Sequence, residues 1–320
     1  MSRPAFRGAL TLLVASVVLC ACSGSETRSA SHGRGSVPRD TSPSSVAPTP
    51  TSAPTPAPTT LGPGAGSADN GGASPRWLIT GKALAMIAAE PGVQSVLDSS
   101  DTLVITGPES VIPEGWTASR VISFTSYQRL HQMLTSGLFP PGVRSVIYDN
   151  ERWAFTPVEE QQDPGGYTAL AAIDAHAHGL TLIATPATTL TEVVAPGSGP
   201  VYQRFIDAGI IADVARSADS VLIQAQGSIT APAFYASFVR DAAAQAREAN
   251  PQVVVLAGLS TNPAGAVVTP EQLLEAVQQT RGVVDGYWLN IPIPGPYCLR
   301  CNPSRPDLAV GLLRDLISGR

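Results

Sequence analysis

Two carboxylates one residue apart, Asp149 and Glu151, close the apolar run Val146-Ile147-Tyr148. Side chains alternate along a strand, so both acids point to the same side, about 6.5–7 Å apart along the chain. Carboxylates that close push each other's titration apart, so that one ionises readily and the other holds its proton. That division suits general acid/base chemistry. The competing reading is structural: an acidic pair at a strand end can cap the next helix or pair with Arg152 or another arginine. Tyr148, Trp153 and Phe155 add aromatic surface nearby. Gln224 and Gln226 repeat the same-side spacing further on, and paired amides offer donors and acceptors to sugar hydroxyls, or simply fill a barrel end. Trp288 and Asn290 repeat it once more. An indole beside amides and carboxylates is a common way to seat a sugar ring, although core packing explains many tryptophans.

These residues need elements that bring them together. From about Arg76, short apolar runs alternate with longer helical patterns. The strands expected are 77–80, 102–106, 121–124, 145–148, 181–185, 220–224, 253–257 and 286–290. Helices are expected over 81–89, 126–135, 166–178, 201–215, 231–249, 270–279 and 306–317. Such alternation means parallel strands with right-handed crossovers, and eight of them over 76–320 predict one α/β domain, a closed (β/α)₈ TIM-like barrel. The first quarter should be irregular, because Pro108, Pro113 and Gly115 leave no room for a helix between the second and third strands. In a barrel the carboxyl ends of the strands converge on one mouth. Most strand tips here are polar above apolar strand bodies, the pattern of a binding mouth.

The Asp-x-Glu at a central strand tip, the polar same-side pair on a later strand and the Trp on the last strand resemble the glycoside hydrolase barrels of the chitinase type. That resemblance implies substrate-assisted cleavage. Glu151 would be the general acid, Asp149 would orient the substrate's acetamido nucleophile, and Trp288 would floor the sugar site. The chain departs from the pattern upstream, where Arg144, Ser145 and Ile147 stand in place of an acidic run, and later, where glutamines replace a tyrosine. No other expected strand tip carries an acid, so a two-carboxylate mechanism would have to draw on loop residues Glu159, Glu160, Asp163 or Glu192. Asp174, His176 and His178 fall on a helix, where positions two apart do not face each other, and histidines in a last turn more often meet the free carbonyls, so no metal is expected there. No Gly-x-Ser-x-Gly elbow and no phosphate-binding Gly-rich loop occur, and no cofactor is expected.

The N-terminus addresses the protein. Arg3 and Arg7 precede an apolar stretch from Ala9 to Leu19, too short to span a bilayer, and then come Leu19-Cys20-Ala21-Cys22. The last four residues resemble the lipobox of bacterial lipoproteins. By that resemblance residues 1–21 are a signal peptide and Cys22 carries lipid, which anchors the protein to the membrane outside the cytoplasm. Residues 22–75 are rich in Pro, Thr, Ser and Ala and read as a disordered tether. Removing Arg3 and Arg7 moves the formal charge from −5 to −7. An acidic surface argues against a nucleic-acid partner. Cys298 and Cys301 remain, and in an oxidising compartment a structural disulfide is expected, in a loop marked by Pro294, Pro296 and Pro303. The expected protein is a monomer. It is an enzyme acting on a glycan, a non-catalytic binder of sugar or another envelope ligand at the same mouth, or a structural module with a vestigial mouth.

Overall fold

The computed structural model describes residues 74–319, apart from 108, 109, 111, 296 and 297. The expected signal segment, Cys22 and the expected tether up to residue 73 lie outside the described residues. In chain order the elements are β1 (Arg76–Thr80), α1 (Gly81–Ile87), α2 (Val93–Leu97), β2 (Thr102–Ile105), β3 (Ser119–Phe124), α3 (Tyr127–Thr135), β4 (Val143–Tyr148), α4 (Val158–Gln162), α5 (Pro164–Ala177) and β5 (Thr181–Ala184). There follow α6 (Thr191–Val194), α7 (Val201–Asp207), α8 (Ile210–Ala215), β6 (Ser220–Ile223), α9 (Pro232–Ala249), β7 (Val254–Ser260), α10 (Pro270–Thr280), β8 (Gly286–Asn290) and α11 (Pro306–Ile317). Each strand pairs in parallel with its successor, and β8 returns to β1, so the chain is a closed (β/α)₈ barrel.

Strand alternation divides the apolar residues between two cores. Leu78, Val121, Ile147, Ile183, Leu222, Leu256 and Trp288 form one buried cluster inside the barrel. Their neighbours on the same strands, such as Ile79, Val221, Ile223, Val255 and Leu289, pack outward against the helices. Because both faces are covered, the strands read as almost continuous apolar runs. At the seam, Arg76 pairs with Gly286, and a Cβ on Gly286 would drive into the Arg76 carbonyl oxygen. Only glycine lets the first and last strands meet so closely.

Helix starts are set by side chains the sequence supplies in place. Thr80, Ser126 and Thr269 accept hydrogen bonds from the backbone N–H groups of Ala83, Arg129 and Gln272. Asp163 does the same for Gly166, with Pro164 opening α5. Among the described residues no helix joins β2 to β3, and the β3–β4 register shifts between Arg120 and Val121, so the irregular quarter lies where the prolines put it. The single helix expected over 201–215 is two, α7 and α8, because Gly209 takes a left-handed φ of 66° and ends the first. The short helices α4 and α6 fall in segments read as loops, and α2 in one left unassigned. A disulfide joins Cys298 to Cys301, with 5.4 Å between their Cα atoms, in the segment after β8.

Candidate active site

Ile147 belongs to the inner core, so alternation along β4 carries Asp149 and Glu151 into the barrel just above it. Both are buried, at 1% and 6% exposure. The Thr185 hydroxyl at the tip of β5 donates to Asp149 Oδ1 at 2.8 Å. Gln224, beyond the last residue of β6, donates through Nε2 to Glu151 Oε1 at 3.3 Å and to the Thr185 carbonyl oxygen at 3.1 Å. Three adjacent strands thus hold the acid pair through one threonine and one amide. Asp149 Oδ2 and Gln224 Oε1 have no hydrogen-bond partner within the protein.

Neither structural reading of the pair fits these contacts. Arg152 is ion-paired with Glu192, not with the acids. The pair caps no helix: α4, the next one, has Pro157 at its N-cap and no side-chain cap bond, Ser126 and Glu160 serve α3, and Asp163 serves α5. Every hydrogen bond recorded to the two carboxylates comes from an uncharged group. Burial therefore dominates their electrostatics. It raises Asp149 well above the ordinary carboxylate range, the neighbouring Glu151 charge adds to this, and the Thr185 bond opposes it. Burial likewise pushes Glu151 up to about 7, against the opposing bond from Gln224. The pair shares a site in which full ionisation at neutral pH is disfavoured.

The other expected site residues divide. Gln226 lies within the barrel, in the turn after β6, and both ends of its amide lack a protein partner. Trp288 is fully buried in the inner core, below the level of the acids, and its indole N–H is also unpartnered. Asn290 ends β8 and is buried above it. Trp153 sits half-buried in the loop after β4, where its indole N–H donates to Thr156 Oγ1 at 2.7 Å and its ring meets Phe155 edge-on.

Tyr148 corrects the sequence reading: the alternation that turns Asp149 inward turns Tyr148 outward. Its ring packs in the layer between sheet and helices, and its hydroxyl donates to Glu160 Oε2 at 2.8 Å. Glu160 also accepts from the backbone N–H groups of Tyr127 and Gln128, so it serves the start of α3 and is not a second acid of the mouth. Asp163 is a helix cap and Glu192 pairs with Arg152. No second carboxylate faces Glu151 from those positions.

Two contributors went unread in the sequence. Thr185 was visible only as a polar strand tip. Gly258 lies inside β7 beside Trp288, and a Cβ there would sit 2.5 Å from Gln226 Oε1. A glycine within an otherwise apolar strand marks such a close approach. Ties also run across the rim. Arg152–Glu192 joins the β4 loop to α6, and Asn262 beyond β7 donates to the Pro303 carbonyl oxygen while Cys301 Sγ approaches the Asn262 carbonyl.

The fold and the acid pair define the chain as a (β/α)₈ barrel with a buried acidic site at the carboxyl ends of its strands. No protein-family model matches the sequence, and no curated protein matches it. Among solved structures it is similar to triosephosphate isomerase from Bartonella henselae, at 12% identity and a TM-score of 0.43, over 77% of this chain and 100% of that one. The likeness is one of barrel architecture, and nothing about activity follows from it.

Proposed function

We propose that this chain is a glycan-cleaving barrel held outside the cytoplasm by lipid on Cys22. The observation that carries the reading is the acid pair: two carboxylates buried at a barrel mouth, held by uncharged donors and raised by burial. In the proposed reaction Glu151 gives its proton to the glycosidic oxygen as the bond from that oxygen to the anomeric carbon breaks. The carbonyl oxygen of the substrate's own acetamido group bonds to that carbon, and Asp149 accepts the acetamido N–H. Glu151, now a carboxylate, takes a proton from the water that attacks the same carbon, which releases the acetamido oxygen and restores the acid. A nucleophile supplied by the substrate suits a mouth whose second acid is a neighbour on the same strand and not an opposing group. Thr185 and Gln224 would position the two acids, and Trp288 and Gln226 would bound the sugar.

The test is a hydrolysis screen of N-acetylated glycans with wild type and Glu151→Gln. Turnover by wild type that falls at least about 100-fold in Glu151→Gln supports the assignment; no turnover, or equal turnover, refutes the catalytic reading. The burial of both acids and the absence of an opposing carboxylate among the described residues favour a second reading, a non-catalytic sugar-binding protein, which binding without turnover in the same screen would identify. For the anchor, Cys22→Ala is expected to release the protein or leave an unprocessed precursor, and membrane retention with normal processing would count against lipidation.

A further inference from the structure

Gln226 is 3% exposed, yet neither its Oε1 nor its Nε2 has a partner within the protein. A buried amide with both ends free is uncommon, because each unmet donor or acceptor is penalised by loss of water. The side chain is nonetheless given a place. β7 carries glycine where its register sets it beside Trp288, and the Gln226 amide fills the volume a β-carbon would take, 2.5 Å from Oε1 and 3.3 Å from Cδ. Other unpartnered buried groups on the inner face at this end include Asp149 Oδ2, Gln224 Oε1, the Ser123 and Thr125 hydroxyls, Asn262 Oδ1 and, lower down, the Trp288 indole N–H. No Lys or Arg stands at an inward-facing strand tip among the described residues. This lining provides donors and acceptors with no positive charge, and it contains two acids. An anionic ligand would meet repulsion with no compensating cation, whereas a neutral ring bearing adjacent hydroxyl or amide groups could satisfy both ends of the Gln226 carboxamide.

We propose that Gln226, seated in the gap left by Gly258, is a specificity-determining residue that reads an uncharged donor–acceptor pair on a neutral sugar, in a mouth whose acid pair, without a cation, rejects acidic sugars. This rests on the proposed glycan site and adds to it the charge class of the substrate and the residue that reads it.

The two positions allow a clean test. In Gly258→Ala the new methyl meets the far end of a flexible side chain, with Ile223 O at an ordinary 3.4 Å, so the amide is displaced while the strand is kept. Gln226→Glu keeps the shape, replaces the donor with an acceptor and adds charge. Binding is measured on the intact protein by ligand-observed NMR, with neutral oligomers of N-acetylglucosamine, glucose and mannose and acidic oligomers of galacturonate and hyaluronan. Wild type is expected to bind at least one neutral oligomer and no acidic one. Both variants should weaken that binding about tenfold or more, with an unchanged urea midpoint for Gly258→Ala. Equal binding by wild type and both variants, or acidic oligomers bound as well as neutral ones, overturns this inference and leaves the glycan site standing. If wild type binds no oligomer in the panel, the glycan site itself falls and this inference with it.

Discussion

Glu151→Gln should make the protein more stable at neutral pH. In the folded chain Glu151 is raised from its ordinary value of 4.5 to about 7, chiefly by burial. The folded state therefore binds this proton more tightly than the unfolded chain does. Stability falls as pH rises from about 4.5 to about 7, and the loss is complete above that. At about 1.4 kcal/mol per pH unit, a shift of roughly 2.5 units corresponds to about 3 kcal/mol of stability withheld at pH 8 and none at pH 4. Glutamine removes the titration and keeps an oxygen able to accept from Gln224 Nε2, so most of that amount should be recovered. Asp149 loses a charged neighbour at the same time, which acts in the same direction. The assay is urea unfolding of the intact chain from pH 4 to pH 8. The variant and wild type should coincide at the acid end and separate progressively above pH 4.5, with the variant ahead by about 2–3 kcal/mol at pH 8. Parallel curves across the whole range would show that Glu151 is not a buried titrating acid. A variant less stable at every pH would mean that the carboxylate has a structural partner the geometry does not contain.

Other perturbations probe the frame around the pair. Tyr148→Phe removes a buried hydroxyl that donates to Glu160 and accepts from Asn150; it should lower stability by about 1–2 kcal/mol in urea unfolding and leave glycan binding unchanged, whereas selective loss of binding would return Tyr148 to the mouth. Gly286→Ala sets a methyl against the Arg76 carbonyl at the barrel seam and should destabilise by about 3 kcal/mol or more, read as a lowered urea midpoint. Thr185→Val deletes the one hydroxyl bonded to Asp149; in the hydrolysis screen it should cut turnover about tenfold or more with folding retained, and wild-type turnover would remove Thr185 from the site.

The barrel was legible because its strands are short apolar runs whose neighbours on either side must both be buried, a pattern that fits little else. The inward pairing of Asp149 with Glu151 and of Trp288 with Asn290 follows from period two alone. The same period places Tyr148 on the helix side, and reading aromatic residues by closeness in the chain instead of by parity led to the wrong layer. Trp288 is the third residue of Gly286–Asn290, which sets it in the packed middle of the barrel and not at its lip. Asp163 could have been recognised as a cap from the Pro164-Gly165-Gly166 that follows it. The role of Glu160 had no local signal, since its partners at Tyr127 and Gln128 lie more than thirty residues earlier and only the fold brings them close. Thr185 was unreadable for the same reason, since it matters through Asp149 on another strand, and Gly258 signalled a close approach in an apolar strand without naming Gln226 as the group approached.

The arrangement is expensive in a way that packing does not explain. Leucine or methionine at 149 and 151 would extend the apolar interior begun by Ile147, Ile183 and Leu222, without desolvating two carboxylates beside each other. A structural use would show as an arginine against the pair or a helix capped by it, yet Arg152 turns to Glu192, α3 and α5 have their own caps, and α4 starts with no side-chain cap bond. What surrounds the acids instead is a set of neutral groups, several with hydrogen-bonding capacity unspent, and a glycine that leaves room for one of them. Buried acids of raised pKa, positioned by hydroxyl and amide and left without cations, suit the proposed transfer of a proton to an uncharged ligand. The pH dependence of stability and the loss of turnover in Glu151→Gln therefore test one property by independent means. If the first is seen without the second, the acid is buried as described and the catalytic reading falls, with binding in the glycan screen left to decide between a binding mouth and none.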